Sequence, residues 1–223
     1  MIDLGSWNLS IPVGSPPTTI ETKKLLQGYD DKYFKSGSSN VTFWAPVTGA
    51  KTANAIYPRT ELRETFSDGT LRNWYYTDAD NFLNAKLKVL QVPSSGRVVI
   101  GQIHVYESTQ PLLKVEYQYR DATKDGAIVA KVRFHPTDKK ARIFTVAERI
   151  PLNETFNYEI HLNKAGLLTV KAANMAWYDR LSATWSKEQL YFKAGVYTQD
   201  NTGYTSEGGK TMFFNLDIDH RKS

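Results

Sequence analysis

The stretch "LYFKAGVYTQ", residues 190 to 199, decides the fold. Side chains along a β-strand point alternately to opposite faces, so Phe192, Ala194 and Val196 fall on one side. Tyr191, Lys193, Tyr197 and Gln199 fall on the other, with only Gly195 breaking their row. The apolar side packs. The polar side must look into something wet.

The same period of about two recurs along the chain with turn signals between its occurrences. It is found in "NVTFWAPV" (40–47), "RTELRETF" (59–66), "NFLNAKLKVLQV" (81–92), "RVVIGQIHVY" (97–106) and "LLKVEYQYR" (112–120). It continues in "GAIVAKVRF" (126–134), "ARIFTVAE" (141–148), "FNYEIHL" (156–162), "GLLTVKAA" (166–173) and "KTMFFNLDID" (210–219). So many strands in 223 residues predict one all-β domain spanning 1–223, a jelly-roll sandwich of two antiparallel sheets with a concave groove. Helix is scarce. The best candidate is "TIETKKLLQGY", near residue 19, with Thr18 or Thr19 as its cap and Gly28 as its stop. Two polar stretches, "FSDGTLRN" (66–73) and "TQDNTGYTSEGGK" (198–210), read as loops overhanging the groove.

Composition narrows the function. Hydrophobic residues make up 41% and charged residues 23%, so the chain has enough apolar material to fold. No apolar run reaches the roughly 18 to 20 residues of a membrane helix, and "MIDLGSWNLSIPVG" lacks a signal-peptide pattern. No membrane association is expected. A secreted or periplasmic address is the expectation, with the cytosol left open. The formal net charge of +5 favours a polyanionic partner. Nucleic acid is not expected, because the chain has no Lys/Arg block, no zinc-finger spacing and no aromatic RNA-binding signature. The expected state is a monomer.

Three strands carry an unusual face. In "RTELR", Arg59, Glu61 and Arg63 share one side; in "GQIHV", Gln102 and His104 share one, while Gly101, Ile103 and Val105 turn inward. Alone, the Arg59 row would pass as a solvated face, His104 as a structural or exposed histidine, and the Tyr191 row as a sugar- or peptide-binding face without catalysis. A non-catalytic sandwich that holds acidic polysaccharide is therefore the alternative reading. Together on neighbouring strands the three rows would converge in one groove.

Paired-carboxylate glycoside hydrolysis is disfavoured, because these rows hold a single carboxylate, Glu61, flanked by two arginines that it would hold in place. No nucleophile elbow is present, and His104, His135, His161 and His220 lack metal-ligand spacing. The set does fit β-elimination from a uronic acid polymer. An arginine fork and the Gln102 amide can offset a carboxylate and so acidify the neighbouring C5 proton. A histidine with a pKa of about 6.5 can accept a proton, and a tyrosine near ~10 can give one to the leaving oxygen. A nearby cation would lower the tyrosine pKa and let it act as base as well. No metal or other cofactor is required.

"RTELRE" (59–64), "QIH" (102–104) and "YFKAGVYTQ" (191–199), in this order, resemble the three signature regions of the polysaccharide lyase family 7 alginate lyases. The opening "WNLSIPVG" (7–14) and the late "DNTGYTSEGG" (200–209) are also similar to that family's ends. The resemblance implies a jelly roll and endolytic cleavage of alginate, leaving an unsaturated sugar. By position it implies that Arg59 and Gln102 neutralise the substrate carboxylate and that His104 and Tyr197 form the proton-transfer pair. Tyr would act as base and acid on mannuronate, with His as base on guluronate. Arg63, Tyr191, Lys193 and Gln199 would be groove contacts. Ile103 between Gln102 and His104 implies a leaning toward guluronate-containing blocks, an effect that must be indirect if Ile103 is buried. Val105 and Tyr106 depart from the small residues that often follow this motif in relatives. A lyase for another polyuronate such as glucuronan is the second alternative.

Overall fold

The computed structural model describes residues 2–222. Its strands are β1 (Trp7–Ser10), β2 (Thr19–Ile20), β3 (Phe34–Ser36), β4 (Val41–Pro46), β5 (Arg59–Glu64), β6 (Asp80–Gln91), β7 (Arg97–Val105) and β8 (Leu113–Arg120). They continue as β9 (Asp125–Val132), β10 (Arg142–Ile150), β11 (Phe156–Leu162), β12 (Leu167–Ala172), β13 (Met175–Arg180), β14 (Leu190–Thr198) and β15 (Gly208–Arg221). One sheet has eight strands in the order β10-β9-β8-β7-β14-β5-β1-β2, and the other seven in the order β13-β12-β11-β6-β15-β4-β3. The two antiparallel sheets stack as a jelly-roll sandwich, as the alternation predicts. No helix among the described residues is long and apolar enough to cross a membrane.

The inward halves of the strands make the core. Leu9, Leu62, Phe192 and Val196 of the first sheet meet Phe43, Leu83, Ile160 and Phe213 of the second, all fully buried. Phe43 stands edge-on to Phe34 and Phe213 at centroid distances of 5.4 and 5.3 Å. This geometry suits the aromatic quadrupole. Glu64, buried at the end of β5, accepts from Trp74 Nε1 at 2.8 Å, from the Phe192 amide at 2.9 Å and from His220 Nε2 at 2.7 Å. That ties β5 and β14 to β15 beneath the groove.

A bulge in β7 sets which residues reach the groove. The pairing of β7 with β8 slips between Val99 and Gly101. One extra residue resets the alternation, so Val98 and Ile100 join Ile103 and Val105 in the core while Gln102 stays on the opposite face. Gly101 has no room for a side chain, because a Cβ there would lie 2.6 Å from the Tyr158 hydroxyl. That hydroxyl crosses from β11 to donate to the Ile100 carbonyl at 2.9 Å.

The helix differs from its sequence expectation. It is a single short α1 (Thr22–Leu26) with Glu21 at its N-cap and no side-chain capping bond. Thr18 and Thr19 do not cap it. The Thr19 backbone is drawn into β2 opposite Ser10, and the Thr18 hydroxyl donates to the Val13 carbonyl. Gly28 does end it, at a φ of +86° that favours glycine. Four strands also lack the expected pattern: β1, β2 and β3 are short, and β13 is an edge strand with almost every side chain exposed.

Candidate active site

The three rows meet on the outward face of the eight-stranded sheet. Strand β14 lies between β5 and β7, so Lys193 faces Arg63 on one side and Gln102 on the other. Tyr191 stands opposite His104, Tyr197 opposite Arg59, and Gly195 opposite Glu61. Residues directly opposite in antiparallel strands share a face, so all these side chains enter one groove. Gly195 breaks the row for a backbone reason. Its φ is +141°, and a Cβ would stand 2.7 Å from the Thr60 carbonyl. The β14 register against β7 shifts at the same place, between Ala194 and Tyr197.

Glu61 is the hub. It is fully buried and accepts from Arg59 Nη1 at 3.0 Å, Lys193 Nζ at 2.8 Å and Gln102 Nε2 at 2.8 Å. Burial alone would raise its pKa, but Lys193 and Arg59 overcome that and hold it at about 2. It is therefore a fixed anion that aims two cations and an amide. It does not hold Arg63, contrary to expectation. Arg63 turns away, donating to the carbonyls of Glu64 and Arg72 at 2.8 and 2.9 Å and to Asn73 Oδ1 at 2.6 Å. Its guanidinium caps the Tyr191 ring at 3.6 Å from the centroid.

His104 is neutral. Burial, with Lys193 and Arg59 nearby, holds its pKa down at about 3. Its Nδ1 accepts the Val105 backbone N–H at 2.9 Å and lies 3.1 Å from the Tyr191 hydroxyl. A backbone N–H can only donate, so the ring proton sits on Nε2. The other tautomer would also find partners, since the Val105 carbonyl is 3.2 Å from Nδ1 and the Tyr191 oxygen can accept.

Tyr197 lies under Arg59, 3.8 Å from ring centroid to guanidinium. A cation there was expected to lower the pKa, yet the net direction is upward. Burial is the larger cause, and Arg59 only offsets part of it. Tyr197 is therefore protonated when the groove is empty. Lys193 is brought down to about 8 by burial and by Arg59, with Glu61 opposing. Gln199 is only 4% exposed and directs its Nε2 to the Tyr197 carbonyl at 3.3 Å, so it supports the strand end more than it lines an open surface. Ile103 is fully buried, which leaves any influence on specificity indirect.

The structure thus brings Arg59, Glu61, Gln102, His104, Tyr191, Lys193 and Tyr197 together. A second polar cluster, outside the three rows read from the sequence, lies beside them: Glu116 on β8, with Lys131 Nζ at 3.0 Å, Gln118 Nε2 at 2.7 Å and Arg97 Nη1 at 3.9 Å. The alternation of Lys114, Glu116 and Gln118 in "LLKVEYQYR" was its signal. A recess of about 740 Å³ lies on the other sheet among Asn84, Asn157, Glu159 and Asn215, away from these groups. Among the described residues no cluster of His, Cys, Asp and Glu could hold a metal ion.

A family model described as alginate lyase matches residues 2–220. An alginate lyase of Klebsiella pneumoniae is 27% identical, with 98% of this chain and 89% of that protein covered. The crystal structure of an alginate lyase from Pseudomonas aeruginosa superposes with a TM-score of 0.94 at 43% identity, covering 98% of this chain and all of that one. Alginate lyase A1-II', a member of polysaccharide lyase family 7, superposes with a TM-score of 0.87 at 30% identity over 100% of this chain and 97% of that one. A doubly substituted form of A1-II', in complex with substrate (GGMG), gives 0.85 at 30% identity, covering 99% and 95%. The extent of these matches, on a jelly roll whose groove gathers the expected motifs, shows that the chain is a polysaccharide lyase and belongs to the alginate lyases of family 7.

Proposed function

We propose that the chain cleaves internal 1,4-linkages of alginate by β-elimination, with guluronate-containing blocks preferred. The observation that carries this is the fixed grouping of Arg59, Gln102 and Tyr197 around buried Glu61 and beside neutral His104. Arg59 and Gln102 direct their remaining N–H groups at the carboxylate of the sugar to be cut. That withdraws charge and makes its C5 proton acidic. The proton leaves, its bonding electrons form the C4–C5 double bond, and the C4–oxygen bond breaks. Tyr197 supplies the proton that the departing oxygen needs.

His104 receives the C5 proton of guluronate through Nε2, after its own proton has moved to Nδ1 and found the Val105 carbonyl or the Tyr191 oxygen. For mannuronate the base is the Tyr197 oxygen: the phenol first gives its proton to solvent, with Arg59 favouring the anion, then takes the C5 proton and passes that same proton to the departing oxygen. Lys193 acts mainly on Glu61, with Arg63, Tyr191 and Gln199 shaping the groove beside it. Internal cleavage is supported by the polar row, which runs past the reacting groups on both sides: to Arg63 and Asn8 in one direction and to Lys114 and Lys131 in the other. A polymer can therefore extend both ways. The relatives' substrate and the net charge of +5 support a polyanion.

The test is to digest polyguluronate and polymannuronate separately while following the ultraviolet absorbance of the new conjugated double bond, then to size the products. A rise that is faster on polyguluronate, with early products of many lengths, is expected. Single sugars released from the start, or a faster rise on polymannuronate, would refute the corresponding half of the proposal.

A further inference from the structure

The cations of the groove face are nearly all committed to protein partners. Arg59 and Lys193 are held by Glu61, Arg63 by two carbonyls and Asn73, and Lys131 and Arg97 by Glu116. Arg133 donates to the carbonyls of Asp138 and Pro111. Lys114 is different. Among the described residues it makes neither a hydrogen bond nor an ion pair, although it is only partly exposed.

Its place is defined by two pairings. Lys114 on β8 stands directly opposite Gln102 on β7 and directly opposite Lys131 on β9. It therefore shares the groove face with Gln102, one strand spacing of ~4.8 Å away. Its neighbour on that face of β8, Glu116, already accepts from Lys131 and Gln118. Lys131, Arg133 and Arg97 surround it, with Glu116 as the opposing charge. Burial and then Lys131 pull its pKa down, as befits a cation among cations awaiting an anion.

We propose that Lys114 binds the carboxylate of the uronate next to the one being cut, on the β8 side of the groove. This rests on the polyuronate function proposed above and assigns one subsite of it. A bound carboxylate repays the desolvation of Lys114 and offsets the crowding of like charges. A neutral sugar at that position would do neither, so the subsite selects an acidic residue. The contact is made equally in the ground and the transition state, so its loss raises KM and leaves kcat nearly unchanged.

The experiment compares the full chain with Lys114→Gln and Lys114→Arg on alginate over a range of salt. For Lys114→Gln we expect a KM at least fivefold higher, a kcat within twofold, and a shallower fall of kcat/KM with salt. Lys114→Arg should recover most of the loss. A uronate hexamer should also be cut at a shifted bond by Lys114→Gln. A KM within twofold of the parent and an unchanged salt dependence would overturn the assignment. If even the parent makes no unsaturated product, the proposed reaction falls by itself. Calorimetric titration of parent and Lys114→Gln with the hexamer then still decides the subsite, which requires at least fivefold weaker binding in the variant and is overturned by equal affinity.

Discussion

The guanidinium of Arg59 lies over the ring of Tyr197, 3.8 Å from its centroid, while one of its nitrogens is fixed 3.0 Å from Glu61. The two residues face each other across β5 and β14, so the sheet register itself makes the contact. In the proposed reaction it couples the group that offsets substrate charge to the group that moves the proton. Cation–π contact of this kind is worth about 0.5 to 2 kcal/mol, and the charge of Arg59 separately favours the phenolate against burial.

Tyr197→Phe keeps the ring, and with it the Arg59 contact and the packing of β14. Only the transferable proton is lost. We expect turnover to fall at least 100-fold, the lower end of what a positioned proton donor contributes. Melting temperature and affinity for an oligouronate should change little. Initial rates near those of the parent would remove Tyr197 from the chemistry.

Arg59→Lys separates charge from shape. The ammonium retains one positive charge but cannot bond Glu61 and a substrate carboxylate at once in the planar geometry of the fork, nor cover the Tyr197 ring as well. We expect kcat/KM to drop by a factor of about 10² through the loss of roughly 3 kcal/mol of transition-state binding. Steady-state kinetics on alginate checks this, and parental values would contradict the carboxylate role of Arg59.

Alternation made the two sheets and the faces of Arg59, Gln102, His104 and Tyr197 legible in the sequence. Strands β6 and β11 show it most plainly, burying every second residue. It fails where the physics is not local. Val98 to Ile100 are all buried because a bulge resets β7, and no period in "RVVIGQ" announces that. Sequence spacing points Arg63 to Glu61, whereas Asn73 reaches it from a loop ten residues on. The sign of the Tyr197 shift depends on burial, which a sequence does not state.

Glu61→Ala tests the hub. It leaves Arg59 and Lys193 facing each other with no anion, and removing one partner of a buried ion pair costs about 3 to 5 kcal/mol. Glu61→Gln keeps the shape, still accepts from one cation, and should cost less. We expect denaturant midpoints in the order parent, Glu61→Gln, Glu61→Ala, with activity falling in the same order because Gln102 and Arg59 lose their anchor. A Glu61→Ala protein as stable as the parent would show that the cluster is not held by its anion.

The depressed pKa of His104 makes stability depend on pH. The folded chain gains its ring proton only near pH 3, whereas the unfolded chain gains it near ~6.5. Between these values the unfolded state binds more protons, so stability is fully present above ~6.5 and falls as the pH drops toward 3. A single group contributes a slope of at most about 1.4 kcal/mol per pH unit. Melting temperatures of the parent and His104→Gln, measured from pH 7 to pH 4.5, should converge as the pH falls. Parallel curves would show that His104 stays solvated and does not carry the acid sensitivity.

Gly195→Ala reaches the site through the backbone. At a φ of +141° an added Cβ is strained, and it would stand 2.7 Å from the Thr60 carbonyl, 3.0 Å from the Glu61 Cα and 3.1 Å from the Phe43 ring. Neither the carbonyl nor the Cα can give way without moving β5 relative to β14. Thr60 and Glu61 follow Arg59 directly on β5, opposite Val196 and Gly195, so that shift moves Arg59 relative to Tyr197. Strain of this kind costs about 1 to 3 kcal/mol. We therefore expect a lower melting temperature together with a loss of kcat larger than that of a surface substitution of equal destabilisation, such as one on the exposed edge strand β13. Equal activity at equal stability loss would mean that the β5–β14 register tolerates the displacement and that Gly195 serves only the turn of the strand.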